Sequence, residues 1–526
     1  MTAGRPAVVI GGGIAGLAGA ALLARDGWDV DLLERGPAVG GRAGSWDAGG
    51  FRFDTGPSWY LMPEVFERFF GLLGTSADEQ LDLVPLDPAY RVFFEDDEPL
   101  DIAADLEANL ATFERAEPGG GRALERYVDS ARRTYAVALR HFLYTSFTSL
   151  RELAAPEIAT QVHRLVPLLA RSLESFVAGR FSDPRLRQIL GYPAVFLGSA
   201  PRRTPSMYHL MSALDLDGGV LYPQGGFTRL VEAVAALARA EGVRIHTGCD
   251  VTAITTAQVG ARTRPDRRAR VTGVRATGPD GTTQHLRADL VVGAADLHHV
   301  ETGLLPPSLR THPERRWRRR DPGPGAVLVH LGVRGRLPEL AHHTLLFTRD
   351  WRRNFDDIAQ GRIPSPASAY ACVPSRTDPS VAPAGDENLF LLVPVPADPG
   401  IGHGGLDGGG DSAVEEVADA AIGRLAAWAG IPELRERIAV RRTVGPADFA
   451  EDLNAWRGGM LGPAHTLRQS AMFRAGNRSR KVAGLYYAGS GTIPGIGLPM
   501  CLISAEILRD RVRRECVPVA GRTAVP

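Results

Sequence analysis

Three glycines at positions 11, 13 and 16, an acid at 34 and a Gly-Gly-Arg run at 40–42 are the residues of this 526-residue chain with the clearest chemical use. Gly11 permits a tight turn out of a strand. Gly13 lets backbone approach a pyrophosphate with no Cβ in the way, and Gly16 lets helix and strand pack closely. A helix beginning there, through Ile14 and Ala15, aims free N–H groups and its positive dipole end at phosphate. Glu34 follows about 20 residues later. Its carboxylate can accept from ribose hydroxyls, and it repels a 2′-phosphate, which argues against NADP. A glycine turn kept only for packing is the plainer alternative; strand before, helix after and acid beyond favour a dinucleotide site.

FAD rather than NAD follows from the next residues. Glu34-Arg35 leads through a short loop to Gly40, Gly41 and Arg42, which can line the pyrophosphate and flavin side. The chain carries no second βαβ glycine fingerprint, so a bound nicotinamide coenzyme is not supported. One flavin, re-oxidised by something other than NAD(P), is the simplest account.

These residues need strands and helices to hold them. Ala7 to Ile10 reads as a strand, Leu17 to Leu23 as a helix, and Asp29 to Leu33 as a second strand ending at Glu34. A second α/β stretch begins at Gly225-Gly226, with a helix near Leu230 to Ala240 and strands at Val243, Val251 and Leu290. A third has the strand Leu485 to Ala488, a glycine loop and a helix from about Pro499. Between them lie a mainly helical stretch and a stretch mixing strand-like runs (Ala326 to Leu331, Leu389 to Val395) with proline-rich turns. Gly402 to Gly410 has no periodicity and reads as a flexible loop. The expected fold is α/β: a Rossmann-like FAD-binding domain built from separated segments, with an inserted α+β substrate-binding domain. The expected boundaries are 1–75, 220–300 and 445–526 for the FAD segments. Residues 76–219 form a helical substrate- or membrane-facing insert, and 301–444 the strand-rich part of the substrate domain.

Bulk properties exclude other classes. Sixty basic residues balance sixty acidic ones, so no global field argues for nucleic acid. Cys249, Cys372, Cys501 and Cys516 form no CxxC pair, so a disulfide framework or structural zinc is not expected and a reducing cytoplasm fits. The early first strand leaves no room for a signal peptide, and no apolar run approaches the roughly 20 residues of a spanning helix.

At this point the sequence resembles a known family. Val8 to Arg42, followed by Gly50-Phe-Arg-Phe-Asp-Thr-Gly-Pro57, is similar to the bacterial phytoene desaturases, carotenoid enzymes within the amine-oxidase-like flavoproteins. Tyr222 to Phe227, Ala294-Ala295-Asp296 and Gly489-Ser-Gly-Thr-Ile-Pro-Gly-Ile-Gly-Leu-Pro-Met500 match further motifs, although many relatives carry asparagine where Ala294 stands. The resemblance implies FAD contacts at Gly56, Pro57 and Ser58, at Val251 (adenine, through its backbone), and at Ser490, Gly491, Leu498, Pro499 and Met500. The C-terminal loop also makes physical sense. Its small residues let backbone lie against the flavin, and Pro499 suits a helix N1 position. The helix start can stabilise negative charge at flavin N1 and O2.

The implied chemistry is carotenoid desaturation, most simply of phytoene towards lycopene: hydride to flavin N5, proton to a base or water, quinone or oxygen as final acceptor. Such a step needs positioning more than a strong base, and no catalytic residue or metal site is assigned. A long-chain polyene is the expected substrate. The apolar stretches Leu165 to Val177 and Tyr192 to Leu197, flanked by Arg164, Arg171, Arg180, Arg202 and Arg203, suit either a core or an interfacial surface on the inner face of the cell membrane. Asp129, Arg132 and the Arg151-Glu152 pair read as salt-bridged surface, and the His298-His299 and His342-His343 pairs as loop or surface residues. Sister carotenoid enzymes (3,4-desaturase, C30 desaturase, isomerase, ketolase) share these motifs. An amine or porphyrinogen oxidase is a weaker alternative, as is a non-enzymatic lipid-binding protein with a decayed flavin site. The only lysine is Lys481, just ahead of the last strand.

Overall fold

Alternation along the first strand decides how the nucleotide-binding layer is assembled. The computed structural model describes residues 4–147, 156–258 and 269–516. In the strand Arg5–Ile10, Ala7 and Val9 face one way and Val8 and Ile10 the other, and all four are buried. A strand buried on both faces belongs in the middle of a parallel sheet. It pairs in parallel with Trp28–Leu33 on one side and Leu290–Gly293 on the other. Arg244–His246 extends the first edge and Leu485–Tyr487 the second, giving a five-stranded parallel sheet gathered from three distant stretches of chain. Ala7 and Val9 pack under the helices Ile14–Arg25, Phe227–Ala240 and Leu498–Cys516. Val8 and Ile10 pack instead against Val251, Ile254, Val271 and Val274 of an antiparallel layer.

A second, seven-stranded sheet forms the other half. Its order is Ile438–Val444, Gly325–Val333, Glu387–Val395, Ala369–Cys372, His343–Phe347, Tyr90–Phe94, Asp97–Ile102. The expected strands near 326–331 and 389–395 are here. Tyr90–Phe94 and Asp97–Ile102 were not expected: the mainly helical stretch gives two strands to this sheet, one paired in parallel with His343–Phe347. The sheet joins residues from both sides of the middle nucleotide segment.

Two expectations are corrected and one open alternative is resolved. Gly402 to Gly410 is tied into the fold: Gly404 N–H donates to Asp448 Oδ2 at 2.7 Å, and Gly405 pairs with Thr443 through backbone and side chain. Of the two readings of the apolar stretches, core or interfacial surface, Tyr192, Ala194 and Leu197 take the first and are buried. In the other apolar stretch, Leu168, Leu173, Phe176 and Val177 are core while Val166 and Leu169 are exposed. Finally, His342 and His343 are buried, not loop or surface residues. Arg132 is salt-bridged to Asp217 and Asp129 at the surface, as expected. Arg151 and Glu152 lie outside the described residues.

Asp215 supplies a buried pH-dependent tie. Its Oδ2 accepts from Tyr90 at 3.1 Å and Tyr192 at 2.7 Å, joining a sheet strand to the helical layer. Desolvation, only partly offset by the two hydroxyls, raises its pKa to about 6. A raised folded-state pKa contributes stability that is complete below the ordinary carboxylate range and is lost as pH rises through about 6. Asp215→Asn keeps the acceptor oxygen and removes the ionisation. Relative to wild type it is expected to gain up to about 3 kcal/mol between pH 4 and pH 7. Thermal unfolding of both proteins across that range checks this, and a pH-independent difference would exclude it.

Candidate functional site

The glycine turn is shaped by what surrounds it. Gly11 has φ +101°, and a Cβ there would lie 2.9 Å from Ala295 N. A Cβ on Gly16 would collide with Gly11 O. Gly13 differs: an added Cβ would find only Gly40 O, at 3.9 Å, so this face of the turn is open. The first intrahelical bond is Leu17 N–H to Gly13 O at 2.9 Å, which leaves the N–H groups of Ile14, Ala15 and Gly16 without an intrahelical acceptor. Gly40 closes the other side, donating to Gly12 O at 2.9 Å.

Glu34 is held by its own loop. One carboxylate oxygen accepts from Gly12 N–H at 2.6 Å and the other from Gly36 N–H at 2.7 Å. Two bonds occupy half the acceptor capacity of a carboxylate, leaving lone pairs for a diol. Val251 is buried and stands two residues beyond Cys249, whose N–H donates to Glu34 O at 2.8 Å. Arg35 turns elsewhere and donates to the Glu451 carbonyl.

Arg42 joins this half to the flavin-side half. Its Nε donates to Met460 O at 2.9 Å and one Nη lies 4.0 Å from Asp296. That same Nη2 is buried without a hydrogen-bond partner. Gly56 crosses the Arg42 backbone so closely that a Cβ would collide with Arg42 O. The loop Gly56-Pro57-Ser58 faces Cys372 and Phe390 of the seven-stranded sheet across a narrow cleft. Ser58 Oγ is 2.6 Å from Tyr370 OH, which is 2.7 Å from His343 Nδ1, and His343 stacks on Trp59 with centroids 4.3 Å apart.

The C-terminal loop is fixed from beneath. Asn477, fully buried, donates to Ile493 O at 3.1 Å and Ser504 Oγ at 3.0 Å, and Ser504 Oγ accepts from Gly489 N–H at 3.1 Å. Ser490 O accepts from Arg474, and Gly491 lies against Leu297. The helix begins at Leu498, one residue before the expected start, so Pro499 stands second in its first turn, still ahead of the first bonded N–H at Cys501. Leu498, Pro499 and Met500 are half-buried.

A flavin dinucleotide fits these features: an open glycine face, three unclaimed helix N–H groups, a braced carboxylate and an orphaned buried guanidinium nitrogen. On the sheet side of the cleft Cys372, Pro374, Asn388 and Phe390 carry no charge, while Asp54 lines it beside the loop, its pKa raised by burial to about 6. Burial drives His330 and His342 down to about 3 and His343 well below the usual histidine range, and it lifts Cys372 to about 12. The ligand atoms of His342, His343 and Cys372 lie within 4.8 Å of one another, which the sequence did not reveal. Asn477, Tyr370 and Trp59 were equally missed. Only the identity of Trp59, an aromatic two residues past Pro57, offered any signal.

Comparison with known proteins places the chain. The family model for flavin containing amine oxidoreductase matches residues 14–507. The chain is 41% identical to a carotenoid 3,4-desaturase of Haloarcula japonica, covering 96% of this chain and 97% of that protein. It is 36% identical to a zeta-carotene-forming phytoene desaturase of Myxococcus xanthus, covering 99% and 97%. An oxidoreductase from Methanosarcina mazei, 16% identical, superposes with a TM-score of 0.61 over 96% of this chain and all of its own; a putrescine oxidase variant, 14% identical, gives 0.62 over 97% and 99%. The chain belongs to the flavin containing amine oxidoreductase family. Within it the chain is an FAD-dependent oxidoreductase of the carotenoid desaturase group.

Proposed function

We propose that this enzyme desaturates a long carotenoid polyene. The observation that carries the reading is the wall opposite the Gly56-Pro57-Ser58 loop, where Cys372 and Phe390 line the cleft and the buried His342 and His343 beside Cys372 are held neutral. A hydrocarbon loses nothing by desolvation at such a wall, and the carboxylate that lines the cleft beside the loop, Asp54, is engaged by the N–H groups of Phe227 and Thr228. FAD, when bound, supplies the two-electron acceptor for the removed hydrogens. Gly11, Gly13, Gly16, Glu34 and Val251 would hold its ADP half; Gly40, Gly41, Arg42, Gly56, Ser490, Gly491, Leu498 and Met500 would frame the flavin half. The first turn of the Leu498 helix would offer backbone N–H groups to negative charge on a bound flavin. Tyr370 and Ser58 orient the His343 ring, and the stacked Trp59 keeps water from it.

Two finer readings compete. The motifs favour phytoene desaturated towards lycopene, while the 41% identity to a 3,4-desaturase favours a more unsaturated substrate. For either substrate we propose that the enzyme works at the inner membrane surface, with quinone or oxygen as acceptor. No helix among the described residues is long and apolar enough to cross a membrane.

The test is expression in cells that accumulate phytoene and, separately, lycopene, with pigments read by absorbance and mass. Loss of one or more hydrogen pairs from phytoene supports the first reading. Loss from lycopene-type substrates alone supports the second. Unchanged pigment in both, from cells holding flavin-loaded protein, would remove the carotenoid reading.

A further inference from the structure

A groove of about 1060 Å³ opens between the 311–321 and 466–480 segments, and the glycine turn takes no part in it. Arg315, Arg316, Arg319 and Arg320 line one side, Arg468 and Arg480 the other, and buried Arg474 forms part of the floor. None of these seven is ion-paired to a carboxylate among the described residues. The groove's own acid, Asp321, is taken by Arg203 at 2.7 Å. Arg474 spends its N–H groups on the backbone carbonyls of Thr492, Pro463 and Ser490, so its charge too is uncompensated. Burial, with neighbouring arginines adding to it, pushes both Arg320 and Arg474 down to about 10.

A concave cluster of cations this dense attracts phosphate, because guanidinium forks match phosphate oxygens and the shared field is strong. The rim indicates which phosphate. Leu467, Met472 and Phe473 are 48%, 52% and 55% exposed, three large apolar side chains standing in water beside the cations. Arg203 continues the wall towards the helix Pro156–Ala170. Three residues on, Ser206 Oγ donates to Leu168 O at 2.9 Å, beside the exposed Val166 and Leu169. Cations flanked by apolar side chains suit the boundary between headgroups and acyl chains. A soluble organic phosphate would need the first feature and gain nothing from the second.

We propose that this groove seats the phosphate headgroups of an anionic membrane, with Leu467, Met472 and Phe473 dipping into the acyl boundary. The inference rests on the peripheral membrane reading of the chain and is independent of which carotenoid is the substrate. Docking here sets the membrane against the outer side of the flavin loop, since Arg474 bonds directly to Ser490 and Thr492.

The test uses the full-length, flavin-loaded protein and co-sedimentation with vesicles of phosphatidylcholine alone or mixed with phosphatidylglycerol. Wild type is expected to prefer the anionic vesicles and to release as salt rises. The triple variant Arg315→Gln, Arg319→Gln, Arg480→Gln should bind them about 100-fold more weakly, roughly a factor of five per charge, with flavin content and melting temperature unchanged. A control triple, Arg270→Gln, Arg275→Gln, Arg287→Gln on the antiparallel layer, removes the same charge elsewhere and should bind as wild type. Met472→Ser with Phe473→Ser should weaken binding to both vesicle types. Equal losses in the two triples, or no preference for anionic vesicles, would overturn the groove while leaving peripheral binding intact. No binding of wild type to any vesicle would overturn both. If that came with calorimetric binding of inorganic pyrophosphate that the triple variant loses, the groove would be a soluble-phosphate site instead.

Discussion

Gly13→Asp is expected to give a folded, soluble protein that purifies without flavin colour. Gly13 is the residue before the helix Ile14–Arg25, at φ −71° and ψ 173°, an extended conformation open to any residue, and it has no side-chain cap. Aspartate is among the best residues at that place, because its carboxylate accepts from the second or third helical N–H. An added Cβ meets nothing closer than 3.9 Å, so the fold tolerates it and the helix is better capped than before. The same carboxylate occupies the anion site. It takes the N–H groups meant for pyrophosphate and opposes it with a like charge, which costs several kcal/mol. A loss of about 4 kcal/mol corresponds to about a 1000-fold weaker Kd. Flavin titration of the apoprotein beside its melting curve separates the effects: stability equal or higher, affinity far lower. Gly16→Ala makes the contrast, since its Cβ would collide with Gly11 O and should damage folding itself. A yellow Gly13→Asp protein of wild-type affinity would mean the dinucleotide lies elsewhere.

That contrast shows what sequence can carry. The turn, its strand, its helix and Glu34 lie within a short contiguous stretch, so glycine spacing and hydrophobic period together specify them. Helix and strand starts missed by only a residue or two, as at Leu498, because caps and ends are soft. The seven-stranded sheet was harder. Its strand Asp97–Ile102 opens with Asp, Glu and Pro and is largely exposed, so no alternation marks it; its place comes from pairing with Tyr90–Phe94, itself placed by His343–Phe347 from the far side of the chain. The His342-His343 pair looked polar and therefore superficial. It is buried because Tyr370 and Thr377 satisfy one nitrogen of each ring, partners 27 and 35 residues away. Pairings of that kind leave no local pattern.

Asn477 is the residue whose importance was least legible, and its replacement by aspartate should have the second large effect. One side-chain amide holds the flavin loop at both ends. It donates to Ile493 O and Ser504 Oγ, with Tyr487 O at 3.3 Å, while Tyr487 N–H donates to the main-chain carbonyl of Asn477 at 3.0 Å. Aspartate has the same shape and, when ionised, no donor. Its carboxylate would face two carbonyl oxygens in a fully buried site, an unpaired buried charge that costs about 3–5 kcal/mol. The loop would then loosen where it meets the cofactor, so Asn477→Asp should melt early and lose flavin on dilution. The substituted acid escapes by taking a proton, since burial favours its neutral form. Its folded-state pKa therefore lies above the unfolded value, and stability lost at pH 8 should return in part as pH falls towards 5. Asn477→Ala removes the same bonds without a titratable group and should show no such recovery. Parallel melting curves of the two variants at both pH values decide the matter. Equal pH responses would mean that the amide fills space at this position and that other contacts fix the loop.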